Sequence, residues 1–113
     1  MPHEPAKLLR DMLDAGQAIR LYTGGLELSG FLADRTLRDA VHWNFMIIGE
    51  ALSQLRRLAP EVADRISESG RIIAFRNQLI HGYGVIQPEI TWSIIQDKLP
   101  TLLRELTALL SEP

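Results

Sequence analysis

Cysteine is absent from the chain, which removes disulfide bridges, thiolate zinc sites and a cysteine nucleophile together. The three histidines, His3, His42 and His81, stand too far apart in sequence to read as a metal-ligand cluster. Long hydrophobic runs are missing too. The longest candidate, Phe45 to Ile48, falls far short of the ~20 residues a membrane span needs. There is no excess of basic charge: the net charge is −2, and the pI is about 5.9. No broad attraction to nucleic acid or anionic membrane is expected, so any RNA binding must rest on a local patch. The opening Met-Pro-His-Glu-Pro lacks a basic segment followed by an apolar core, so it does not read as a secretory signal. A cytoplasmic location, with no membrane partner, is the expectation.

The 113 residues fit a single domain spanning 1–113. Hydrophobic residues at 46% and charged residues at 23% suit a soluble fold and exclude disorder. From Pro5 to Thr23, the positions Leu9, Met12, Leu13, Gly16, Ile19 and Tyr22 recur at steps of three and four, one face of a helix. Gly24-Gly25 ends that run, and Leu26 to Ala33 reads as a connection with at most one short turn. Asp34 or Thr36 can cap a second helix over about Leu37 to Ala59. Val41, Phe45, Ile48, Leu52 and Leu55 form its seam. Trp43, Met46 and Ile47 add apolar bulk on the opposite side, which marks a candidate dimer surface or a helix enclosed within one chain.

After Pro60, a short helix is predicted over Glu61 to Ser67, then a loop to Gly70. The next helix runs over Arg71 to His81 and stops at Gly82-Tyr83-Gly84. From Pro88 a last helix carries Ile95, Leu99, Leu102, Leu106 and Leu109, and Pro100 inside it should kink or split it. No stretch alternates with period two, and there are no repeats. The pattern predicts an all-α fold, a four- to five-helix bundle.

Chemistry concentrates in Phe75 to Tyr83, where Arg76, Asn77, His81 and Tyr83 gather at the end of one helix beside Gly82 and Gly84. Arginine offers a permanently charged fork matched to phosphate oxygens, and histidine titrates near neutrality. The two residue types suffice for RNA cleavage without a metal or cofactor. Arg76 and His81 are five apart, about 140° round an ideal helix, whereas Asn77 and His81 share a face. Arginine and histidine can therefore converge only if His81 lies past the regular helix end, or if two chains meet across a seam. The bland alternative is a surface ion pair for Arg76 and a helix C-cap for His81.

The motif Arg-Asn-x-x-x-His-x-Tyr, met by Arg76, Asn77, His81 and Tyr83, resembles that of HepT-like proteins of the HEPN superfamily, small helical ribonuclease toxins. Ile48 to Ala51 (Ile-Gly-Glu-Ala), Trp92 and Leu99-Pro100-x-Leu102 extend the likeness, so that it covers roughly Leu8 to Leu110. The resemblance implies a homodimer whose arginines and histidines line a shared cleft. It also implies a nucleotidyltransferase antitoxin of the MntA kind that silences the toxin by AMPylation of Tyr83. On that basis Arg76 becomes the phosphate clamp, His81 the proton-transfer residue and Asn77 an orienting group, with RNA, transfer RNA among the candidates, as substrate. The chain departs from many relatives at Arg71 to Ala74, which lacks an aromatic residue, and at Gly84 to Gln87, which lacks an aspartate.

Glu50 falls about 200° from Ile48 yet lies among apolar neighbours, and is read as the partner that holds the Arg76 fork, or else as a surface glutamate. His42 reads as a helix-surface or interface histidine, and Tyr22 and Trp92 as core residues. Arg56, Arg57, Arg65 and Arg71 form either a local basic patch for RNA or a solvated face. The alternatives to a toxin are a non-catalytic helical partner of a nucleotidyltransferase, or a nucleotide- or RNA-binding subunit.

Overall fold

A computed structural model describes residues 3–82 and 86–113, excepting the side chain of His3. Among these residues there are seven helices and no strand. Five are long: α1 (His3–Thr23), α3 (Arg35–Leu58), α5 (Ser69–His81), α6 (Pro88–Asp97) and α7 (Leu99–Leu110). Two are short: α2 (Leu28–Ala33) and α4 (Pro60–Ala63). No described helix is long and apolar enough to cross a membrane.

The central element is α3. Asp34 Oδ1 accepts from the Leu37 amide at 3.0 Å and caps its start, and Pro60 blocks its continuation. Val41, Phe45, Ile48, Leu52 and Leu55 are all buried, as their spacing predicts. The helix packs on α1, which buries Leu8, Leu9, Met12, Ala15 and Ile19. Gly16 lets α7 close on α1, since a Cβ there would come within 2.7 Å of Leu103 Cδ2. Gly25, at φ +81°, takes the left-handed conformation that turns the chain out of α1.

Pro100 lies in the first turn of α7 and has no amide hydrogen to give to a carbonyl one turn back. The last helix accordingly divides at Lys98, as its sequence predicts.

Four expectations need correction. Leu28–Ala33 is a helix, held by Phe31, which is fully buried and stacks at a tilt on Trp92 with ring centroids 5.3 Å apart. The short helix after Pro60 covers only Pro60–Ala63. The motif helix begins earlier, at Ser69, with no side-chain cap and with Glu68 at φ +57°. Tyr22 is 45% exposed rather than core, because the buried stripe of α1 continues from Ile19 to Thr23 and leaves Tyr22 to one side. Trp92 is half-buried.

Candidate functional site

The motif helix α5 lies along α3 and makes few contacts elsewhere. Only Phe75 is buried in it, meeting Phe45 edge to face with ring centroids 5.3 Å apart. The close approach is permitted by Gly49. A Cβ there would overlap Arg76 Cβ, lie within 2.6 Å of Arg76 Cγ, and come within 3.6 Å of the Ile72 carbonyl oxygen. The aliphatic stem of Arg76 therefore rests where α3 has no side chain.

One residue on, Glu50 supplies the carboxylate. Arg76 Nη1 donates to Glu50 Oε2 at 2.9 Å, with the arginine side chain 15% and the glutamate 54% exposed. Arg76 Nε is enclosed without an acceptor among the described residues. Gln54 Nε2 donates to the other glutamate oxygen, Oε1, at 3.2 Å. This is the Glu50–Arg76 pair that the sequence suggests, and it departs from the surface-pair alternative in that Arg76 is mostly buried.

The pair sits in a groove of about 380 Å³ floored by α3 and walled by α1 and α5. Trp43, Met46, Ile47 and Ile80 give it an apolar side. Glu4, Lys7 and Asp11 contribute charge from α1, with Lys7 Nζ bonded to Asp11 at 2.9 Å. The carboxylates outnumber the cations along this groove. A second cavity of about 280 Å³ lies on the other flank of α5, against α6 and α7.

His81 is the last residue of α5 and is exposed, as is Asn77. The helix stays regular through His81, so the option of a histidine past the helix end is not met. Within one chain Arg76 faces the groove while Asn77 and His81 face solvent, the separation that five residues of helix dictate. Tyr83 and Gly84 lie outside the described residues.

Of the four arginines considered as a patch, Arg65 pairs with Glu112 and Arg71 with Glu68, leaving Arg56 and Arg57 without an ion pair among the described residues. His42 is half-buried rather than a free surface histidine. Its Nε2 lies 2.9 Å from the fully buried Thr91 Oγ1 and ties α3 to the first turn of α6. Burial pushes its pKa below the usual histidine value, with Asp39 opposing and Arg38 reinforcing the shift. Sequence reasoning passed over Gly49 as a determinant of the site, although a glycine inside a long helix is itself a sign of close backbone approach. Among the described residues no three His, Asp or Glu side chains gather to hold a metal ion.

Comparison with known proteins identifies relatives of this chain by sequence. Residues 12–109 match the family described as Ribonuclease HepT-like. An archaeal protein of Methanocaldococcus jannaschii named as an RNase, MJ0127, is 27% identical over 113 residues, covering 99% of this chain and 93% of its own length. A protein of Thermococcus cleftensis named as a ribonuclease HepT is 31% identical over 98 residues, covering 83% of this chain and 84% of that protein. No solved structure gives a significant match. With a family match over most of its length and a relative 31% identical across 83% of it, the all-helical chain belongs to the HepT-like ribonuclease family.

Proposed function

We propose that the protein is a metal-independent endoribonuclease, the toxin of a toxin–antitoxin pair, acting as a homodimer with Arg76 and His81 of each chain around one cleft. The observation that carries this reading is the regular helix through His81. It keeps guanidinium and imidazole on different sides of α5, so one chain alone does not bring them to a common phosphate. A second copy docked at the α5 edge of the groove, over Ile80, would supply the missing half.

Two copies also provide the two proton-transfer groups the chemistry needs. One His81, neutral, takes the proton from the ribose 2′-hydroxyl, and the 2′-oxygen attacks phosphorus. The P–O5′ bond breaks, and the other His81, protonated, gives its proton to the departing 5′-oxygen. The products are a 2′,3′-cyclic phosphate and a free 5′-hydroxyl. Arg76 stabilises the charge on the pentacoordinate phosphorane, and Asn77, one turn before His81, orients it. In the same reading Tyr83 is the site of AMPylation by a nucleotidyltransferase antitoxin. The added adenylates would fill the phosphate-binding volume with anionic charge.

The test is cleavage of transfer RNA by antitoxin-free protein in EDTA, beside His81→Ala and Ile80→Arg variants. Cleavage in EDTA that is lost in His81→Ala, and lost with dimerisation in Ile80→Arg, is the expected result. A protein that cuts no RNA but still binds a nucleotidyltransferase would be the non-catalytic partner instead. Co-expression with the antitoxin should add the mass of AMP, alone or in small multiples, and Tyr83→Phe should abolish the addition.

A further inference from the structure

We propose that Trp43 is a stacking platform for an unpaired base of the RNA strand whose phosphate lies at Arg76; the proposal rests on the ribonuclease reading above. Trp43 stands 60% exposed on α3, while Met46 and Ile47, about one turn further on, are already half-covered by their neighbours. All three line the groove that holds Arg76. Trp43 and Glu50 are seven residues apart, two turns, so they share a face and are separated by about 10 Å along the axis. Since Arg76 bonds to Glu50, the guanidinium and the indole stand about two turns of α3 apart along the groove. That separation suits one or two nucleotides of single strand.

The direction of α5 brings the histidine to the same end. Arg76 reaches Gly49 and Glu50, while Ile80, one turn on, lines the groove with Trp43, two turns back along α3, so α5 runs antiparallel to α3. Moving on five residues from Arg76 reaches His81 at about the level of residue 44 on α3. Ile80, immediately before His81, lines the groove with Trp43. An indole face therefore sits beside the end of the motif that carries the proton-transfer residue.

The charge of the groove makes such a platform necessary as well as convenient. Glu4, Asp11 and Glu50 stand against Lys7 and Arg76, and the whole chain has a net charge of −2. Phosphate contacts alone, which dominate in basic nucleic-acid binders, have little to work with here. Stacking on a π-face does not depend on net charge, and it tolerates any base that is not already paired. The expected substrate is thus a loop or unpaired stretch, held with a shallow salt dependence.

The test uses full-length, antitoxin-free protein and a short 2′-O-methyl oligoadenylate, which cannot be cleaved because its 2′-oxygen is capped. In a Trp92→Phe background, emission comes from Trp43 alone and should be quenched on binding. Trp43→Phe should bind within a few-fold of the parent, and Trp43→Ala should bind about 5- to 100-fold more weakly. On cleavable RNA the alanine variant should raise KM far more than it lowers kcat. Binding without quenching, or an alanine variant within twofold of the parent, overturns the proposal. So does sedimentation showing that Trp43→Ala falls apart into single chains, which would assign the indole to the protein seam. A parent protein that binds and quenches but cleaves no RNA leaves the platform standing and removes the ribonuclease reading. A parent that does not bind the oligonucleotide removes the platform alone if it still cleaves RNA, and both if it does not.

Discussion

Arg76 and Glu50 form an ion pair of unequal burial: the arginine is nearly enclosed, the glutamate half in water, and 2.9 Å separates Nη1 from Oε2. The carboxylate is what makes it tolerable to lay a guanidinium against α3. A pair this lopsided should be worth more than a surface bridge and less than a fully buried one. Glu50→Ala should lower stability by about 1–2 kcal/mol, a fall in Tm of roughly 5 °C. Glu50→Gln, which keeps an oxygen acceptor, should lose about half as much. Thermal denaturation followed by circular dichroism measures both. RNA cleavage should fall in both variants, because the fork is no longer held in place.

At Gly49 the usual sign of a helix substitution is reversed. Exchanging an interior glycine for alanine ordinarily stabilises a helix by about 0.5–1 kcal/mol. Here the new methyl would meet the Arg76 stem, so Gly49→Ala should destabilise, and Gly49→Val should cost about 1–3 kcal/mol by forcing α5 outward. Chemical denaturation compares the variants, and a stabilised Gly49→Ala would contradict the packing described.

The His42–Thr91 pair predicts an acid-sensitive fold. Burial holds the folded-state pKa of His42 below the usual value of about 6.5. As pH falls below 6.5 the unfolded chain takes up a proton before the folded one, so stability declines until the folded pKa is passed. Above that range the contribution is fully present. Tm measured from pH 7.5 down to 5 should drop more in the parent than in His42→Leu, whose curve lacks this component.

Glu105 fastens the segment that leads into α5. Its carboxylate accepts from the Ser67 amide at 3.1 and 3.3 Å and from the Ser67 hydroxyl at 2.5 Å. Glu105→Ala should cost roughly 1 kcal/mol and should weaken RNA cleavage while leaving α1 and α3 intact. Hydrogen exchange resolved by segment distinguishes this from general destabilisation.

Much of this was legible in the sequence where the signal is local or periodic. The α3 seam follows from residue type and spacing, as do the interruption at Pro100, which proves a split, and the cap, which falls to Asp34 of the two candidates. The Glu50–Arg76 pair was legible because a charge among apolar neighbours demands an opposite charge. What escaped depends on distant contacts. Six residues show too little periodicity to declare Leu28–Ala33 a helix, and its stability comes from Phe31 meeting Trp92 far along the chain. Tyr22 and Thr23 both continue the α1 stripe at a step of three or four from Ile19, and only the packing decides that the threonine is the one buried. His42 and Thr91 are 49 residues apart, and neither announces the other.

The slender support of α5 has its own consequence. A helix that leans on one neighbour, with a hollow on its far flank and a single buried side chain, has a low cost of local opening. Segment 69–81 should release its amide protons to deuterium well before the centres of α1 and α3. The arginine and histidine can then shift by small tilts of a single rod, leaving the rest of the molecule undisturbed.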